Sequence, residues 1–454
     1  MSDAPAAGAR LDRAIGLLPA TATNIIGMVG VGPFLVIPFM ITTMNGPHIL
    51  YAWIAGAVLA LCDGLVYAHL GAALPGSGGP YLYVREAYKP LGLGEVMSFV
   101  FICHVILVAP LTIASGGVGF ADYLRFYWTD MTPLQHNLVA GALCAGVTAM
   151  LWRHIEDVGK LAVVLLGVVF VTIGWVVLAG LFRFSPVQAF DFPPQAYQFD
   201  RDMLARLGAT SILAMYAYGG YNQVCNIGEE IEDPAKTMPR SIVLSIVVVA
   251  ALYMLMTIVI LGMVPWQEAK DTRTIASVFI ARTFLDPQQG QLAALVMTVL
   301  IQFVAAASLY ALILGYSRVP FTAARDGHFF PVFARVHPTK HFPHVSLLVV
   351  GLGSIPFCFF TLGDLANWIV QVQVLLSFVW QCAAVILLRE RRKDIPQPFQ
   401  MWLYPLPALL ALVLWLYVFF SGPWQGLLFS FAYLAAALLA FGIFKKLRRA
   451  AKEA

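Results

Sequence analysis

Gly27-Met28-Val29-Gly30-Val31-Gly32-Pro33 places three glycines and a proline near the middle of a stretch, 14–62, that carries no Asp, Glu, Lys or Arg. Proline removes an amide donor and glycine favours non-helical angles, so a helix crossing this stretch breaks here. A second poor helix centre is Tyr216-Ala217-Tyr218-Gly219-Gly220-Tyr221-Asn222, inside the charge-free interval 207–228. Unwound backbone in hydrocarbon is tolerated only where it lines a protein-enclosed cavity, since each unpaired amide or carbonyl there costs several kcal/mol.

The setting is a lipid bilayer. Of the 454 residues, 60% are hydrophobic and 11% charged, whereas soluble domains carry about 25% charged residues. The formal net charge of +4 is too balanced to suggest nucleic acid as a partner. A charged side chain at the bilayer centre costs about 2.5–3.5 kcal/mol and a span needs roughly 20 residues, so charge-free gaps locate the spans. These gaps are 14–62, 96–121, 131–152, 161–182, 207–228, 241–267, 287–317, 341–363, 365–388 and 395–444. The first is divided by turn residues at Thr43-Met44-Asn45-Gly46-Pro47 and the last at Ser421-Gly422-Pro423-Trp424, which gives twelve spans.

Twenty of the Lys and Arg residues fall on the N-terminal flank, alternate loops and the C-terminus, against seven in the other loops. Both termini are therefore expected in the cytoplasm. Met1 to Arg13 lacks an apolar region of its own and is read as a cytoplasmic tail, not a signal peptide. The expected organisation is a first repeat at 14–182, a second at 183–388, two further helices within 389–445 and a tail at 446–454. The cysteines, Cys62, Cys103, Cys144, Cys225, Cys358 and Cys382, all fall in hydrophobic stretches without a close pair. They read as small core residues, with no disulfide frame, metal site or cofactor indicated.

The breaks lie at the centres of the first and the sixth spans, which open the first and second groups of five. Interrupted segments in matching positions of two halves point to an inverted-repeat transporter with its substrate at the midplane. Such a site suits a zwitterion, because free amides at the start of a half-helix attract a carboxylate and free carbonyls at a helix end accept from an ammonium. The alternative is that these glycines only let helices pack closely. Their joint occurrence at the five-span offset favours a site.

The sixth-span segment continues into Glu229-Glu230, Asp233-Pro234 and Pro239-Arg240, and the second span ends in Leu74-Pro75-Gly76-Ser77-Gly78-Gly79-Pro80-Tyr81. With Ser317-Arg318 and Ala324-Arg325-Asp326-Gly327 behind the eighth span, the chain resembles the amino acid–polyamine–organocation transporter superfamily. Within it the L-type amino-acid transporters and their bacterial relatives are nearest, and the likeness runs almost end to end. The resemblance implies an all-α membrane protein with a LeuT-like five-plus-five inverted repeat and two added helices. It also implies that amides around Gly30, Val31 and Gly32 hold a substrate carboxylate, with Val29 among the binding residues. Carbonyls near Met28, Tyr216, Ala217 and Gly219 would hold its ammonium, beside Tyr218. Tyr216 matches an aromatic gate on the outer side and Asn222 the polar residue next to it. Lys160, in Glu156-Asp157-Val158-Gly159-Lys160, matches the lysine that sodium-independent members place where relatives bind a cation; by position alone it reads as a lysine snorkelling to the headgroups.

Two departures stand out. The family's Gly-Ser-Gly-Ile-Phe is Gly30-Val31-Gly32-Pro33-Phe34 here, so a serine hydroxyl is missing and backbone amides must do more. The second-span Ala-Glu-Leu is Ala68-His69-Leu70. His69 titrates near neutral pH when free and is a proton-coupling candidate, against the plainer reading of a helix-end histidine bonded to a carbonyl. Asp63, an acid well inside a span, is a second such candidate, unless neighbouring polar groups simply satisfy it. His104 borders the expected pocket, although a lone histidine on an apolar helix commonly bonds a carbonyl. Glu229, Glu230, Glu232 and Asp233, with Lys236 and Arg240, read as a latch at the inner mouth.

The spans expected to form the pocket offer no carboxylate at binding depth, so a second positive charge on a ligand lacks a partner. That favours neutral amino acids over the alternative of polyamines or cationic amino acids. The nucleophile and metal patterns of membrane enzymes are missing, and a channel needs a polar pore lining, usually from several subunits. The sequence thus predicts a sodium-independent amino-acid carrier of the cell inner (cytoplasmic) membrane. It lacks an external cysteine for tethering a partner chain, so no obligatory partner is expected. Proton symport, exchange and facilitated diffusion all remain open.

Overall fold

The computed structural model describes residues 13–76, 78–153, 158–338 and 342–453. Every regular element among them is helical, apart from one isolated β-bridge between Ile15 and Ile231. In chain order the main helices are α1 (Leu17–Met28), α2 (Gly32–Met44), α3 (Leu50–Ala73), α4 (Pro80–Tyr88), α5 (Gly94–Leu124), α6 (Pro133–Arg153) and α7 (Val158–Leu181). They continue as α8 (Arg201–Tyr218), α9 (Pro234–Leu261), α10 (Pro287–Arg325), α11 (His344–Leu352), α12 (Leu362–Arg391), α13 (Leu406–Ser421) and α14 (Trp424–Glu453).

Seven of these are long and apolar enough to cross a membrane, and α1 with α2, bent by 43° at their gap, make an eighth. Shorter apolar helices occupy Leu166–Leu181, His344–Phe359 and Leu406–Ser421. Helix starts carry ordinary caps. Asp200 accepts from the Met203 amide at 2.7 Å at the head of α8, and Asp286 from that of Gln288 at 3.0 Å before α10. The turn residues expected at 43–47 and 421–424 span the junctions of α2 with α3 and of α13 with α14. Asn45 ends α2 in the left-handed conformation (φ 57°) that asparagine tolerates.

Three packings place the functional region. α3 lies along α9, α5 along α10, and α1 and α2 cross α9 and α8. Bulky side chains on these faces, such as Trp53, Tyr67, Tyr253 and Phe34, are fully buried. One expectation changes here. The sixth span does not resume as a second α half-helix after its glycine pair but continues in 3₁₀ turns, Gln223–Asn226 and Gly228–Glu230. The cysteines are buried or half-buried and unbridged, yet Cys144 and Cys358 sit 4.0 Å apart, a close pair that a spacing of 214 residues conceals.

Candidate substrate site

Between Met28 and Gly32 the chain leaves the helix for three residues. The Val29 amide still bonds to Ile25 at 2.7 Å and that of Gly30 reaches Met28 at 3.3 Å, whereas the amides of Val31 and Gly32 have no acceptor among the described residues. They point from the start of α2, where the helix dipole favours negative charge. At the second break Gly219 bonds back to Tyr216 at 3.3 Å, and the amides of Gly220, Tyr221 and Asn222 find no acceptor among the described residues.

The glycines divide into two kinds. Gly220 has φ +116°, and a Cβ there would lie 2.5 Å from the carbonyl carbon and oxygen of Gly27. A Cβ on Gly27 would in turn meet Gln223 Cγ at 2.7 Å. This pair lets the two breaks touch, so the close-packing reading holds for it. Gly30 and Gly32 have more room, with Ser308 Oγ and Tyr216 Cε1 each 3.2 Å from a built Cβ.

Side chains tie the breaks to their surroundings. The hydroxyl of buried Tyr253 on α9 lies 3.0 Å from the Met28 carbonyl and 3.1 Å from that of Ala217, and its single proton serves one at a time. Two carbonyls expected to receive an ammonium thus already share a donor. Asn24 accepts the Val224 amide at 2.9 Å. The Tyr216 hydroxyl donates to Ser115 on α5 at 2.9 Å, joining the second break to its neighbour.

The breaks border a cavity of about 110 Å³, well above the ~10–15 Å³ that a single water needs. Met28, Gly30, Val31, Gly32, Tyr216, Gly219 and Asn222 line it. Val29, Ala217 and Tyr218 are buried behind the wall, the last with its hydroxyl on the Trp53 carbonyl at 3.3 Å. No Asp, Glu, Lys or Arg stands among the lining residues described. Thr112, Ser115, Ser308 and Gln223 also face the cavity and escaped the sequence reading. Asn24 had a signal, as a lone amide in an apolar helix; Tyr253 had none.

His104 borders the cavity, 6% exposed, with its ring 5.3 Å from that of Phe101. Neither ring nitrogen has a partner among the described residues, so the expected carbonyl bond is not made. His69 is differently placed. Its Nδ1 lies 3.4 Å from the Met401 amide, which makes Nε2 the donor to Gln397 at 3.0 Å, and both nitrogens pin the segment between α12 and α13. Asp63 is fully buried and accepts hydrogen bonds from Tyr221, Trp415 and Cys382. The Lys160 side chain lies outside the described residues, as do Ser77, Glu156 and Asp157. In the segment expected to form the latch, Glu230 pairs with Arg318 on α10 at 2.9 Å, and among the described residues it makes no ion pair with Lys236 or Arg240. Lys236 pairs locally with Asp233 at 3.0 Å.

A multi-pass helical membrane protein with two unwound segments closing on one small uncharged cavity is a recognisable class, and the class has a family. Residues 15–442 match the family model described as amino acid permease, and the chain belongs to that family. It is similar to cationic amino acid transporter 4 of Mus musculus, 26% identical over 85% of this chain and 61% of that protein. The chain therefore spans less than two thirds of that relative's length. It is 23% identical to the branched-chain amino acid permease BcaP of Bacillus subtilis, over 96% of this chain and 94% of that protein. Large neutral amino acids transporter small subunit 2 of Rattus norvegicus is 25% identical, over 92% and 77% respectively.

Proposed function

We propose that the chain is a sodium-independent secondary carrier moving neutral amino acids across the cytoplasmic membrane by alternating access. The observation that carries this reading is the cavity between the two breaks, with the free amides of Val31 and Gly32 at one end and no charged side chain in its described lining. A carboxylate suits the amides. A second positive charge on the substrate would stand unpaired there, which weighs against the cationic and polyamine alternative. The names of the branched-chain and large-neutral relatives agree with this choice.

The architecture under this proposal is twelve spans, both termini cytoplasmic, in a five-plus-five inverted repeat with two added helices. The eight spans, three shorter apolar helices and α8 together support that number. The bundle of the first, second, sixth and seventh spans rocks against the third, fourth, eighth and ninth. Lys160 at the start of α7 takes the place of a coupling cation and joins the fifth span to the first and eighth. The carrier works without a partner chain.

Uptake of a labelled amino-acid panel, with arginine and a polyamine included, into liposomes holding the purified chain tests the reading. Saturable uptake of neutral amino acids with counterflow is the expected result, and unsaturable flux sinks it. Lys160→Ala protein that transports normally without a sodium requirement removes the role given to that lysine.

A further inference from the structure

Asp63 belongs to no substrate contact, yet three separate elements converge on it. Tyr221, from the second break, donates to Oδ2. Trp415 on α13 donates to Oδ1 at 3.1 Å and the Cys382 thiol on α12 to the same oxygen at 3.7 Å. The titratable groups facing it are Cys62 and Tyr67 of its own helix, Tyr221 and Cys225 from the second break, and Cys382. From α9, the side chains nearest to the neighbouring Gly64 are the apolar Ile242 and Ile246. No Lys, Arg or His forms an ion pair with it among the described residues. A buried carboxylate without a counter-ion depends wholly on its hydrogen-bond donors.

Those donors are not equally fixed. Trp415 and Cys382 stand on regular helix, while Tyr221 follows Gly220 (φ +116°) and precedes the 3₁₀ turn at Gln223. Tyr221 also lines the cavity, together with Tyr67 and Ser377, whose hydroxyls lie 3.4 Å apart. Any rewinding of the second break withdraws the hydroxyl of Tyr221 from Oδ2, and that oxygen has no other donor among the described residues.

We propose that Asp63 is a proton-binding site read by the second break: ionised while Tyr221 donates to it, protonated when the break moves Tyr221 away. One proton from cavity water then adds to the carboxylate in each cycle and leaves when Tyr221 returns, which couples substrate movement to a proton. The inference rests on the carrier reading above and extends it to the energy source. His69, six residues along the same helix, does not compete, since both its nitrogens are engaged.

The test is transport in liposomes, with counterflow at equal pH and accumulation under an acid-outside gradient measured side by side. Wild-type protein is expected to show both, with substrate-dependent proton entry reported by a trapped pH dye. Asp63→Asn is expected to keep counterflow and lose at least tenfold of the gradient-driven accumulation. Tyr221→Phe is expected to accumulate over a more alkaline pH range. Wild-type counterflow without proton entry, or Asp63→Asn with full accumulation and proton entry, overturns the inference and leaves the carrier standing; absent counterflow in wild type strikes the carrier reading instead. Should Asp63→Asn not fold, the pH-dependent part of the emission of wild-type protein serves. The part that disappears in Trp415→Phe reports on Asp63, and identical pH dependence in the two proteins overturns the proposal.

Discussion

The first break is held by backbone and the second by side chains. Around Val29 to Val31 the chain has no polar side chain of its own, and its geometry comes from two flanking helices, Gly27 against Gly220, and the hydroxyl of Tyr253. Around Gly219 to Asn226 the chain carries Tyr221, Asn222, Gln223 and Asn226, and reaches Ser115, Asp63 and Asn24 on three other helices. Similar glycine chemistry at matching positions therefore does not mean one task performed twice. The first break presents fixed amides, and the second is wired to its surroundings through bonds that must be exchanged when it moves.

The contrast can be broken at its joint most severely. Gly220→Ala combines a left-handed backbone with a Cβ driven into Gly27, a loss of about 2–6 kcal/mol. Thermal unfolding in detergent should show it, and an unchanged midpoint means the breaks do not touch. Gly30→Leu fills the cavity without disturbing that contact. Substrate binding should weaken on the order of a hundredfold, about 2.8 kcal/mol, with folding retained; unchanged binding by calorimetry places the site elsewhere. Tyr253→Phe removes the donor shared by the Met28 and Ala217 carbonyls. About 1 kcal/mol of stability should go, and a larger loss in binding than in stability would show that this hydroxyl orders the site.

The smallest effect lies away from both breaks. Burial pushes the Glu86 carboxyl up, but the hydrogen bond from Arg392 and the charges of Arg85 and Lys89 outweigh it and hold the group below its ordinary 4.5. A depressed carboxyl adds stability that is fully present above that ordinary value and fades as pH falls through the lowered one. Glu86→Gln should therefore unfold slightly earlier than wild type at pH 7, with the difference gone in strong acid. A difference that grows in acid would reverse the sign argued here.

Both breaks were legible because glycine and proline act locally, within a few residues of where they stand. The turns near Asn45 and Gly422 were legible for the same reason. Hidden were the contacts made at a distance. Tyr221 and Trp415 lie 158 and 352 residues from Asp63, and only the folded chain shows that three donors and no cation meet there. The empty nitrogens of His104 and the doubly engaged ring of His69 look alike in sequence, since each is one histidine in an apolar helix. Glu230 was read with its sequence neighbours, although its partner Arg318 comes from 88 residues away.

The contact of Gly27 with Gly220, and the bridge of Ile15 to Ile231, also set a timetable for synthesis. Some 193 residues must follow Gly27 before its partner exists, which at about 5–20 residues per second takes roughly 10–40 s. Throughout that interval the nascent chain holds a glycine-rich span whose amides have no cavity to face. The half-made protein must be sheltered from hydrocarbon by something else, and truncations ending before the second break should be cleared by the cell's quality control.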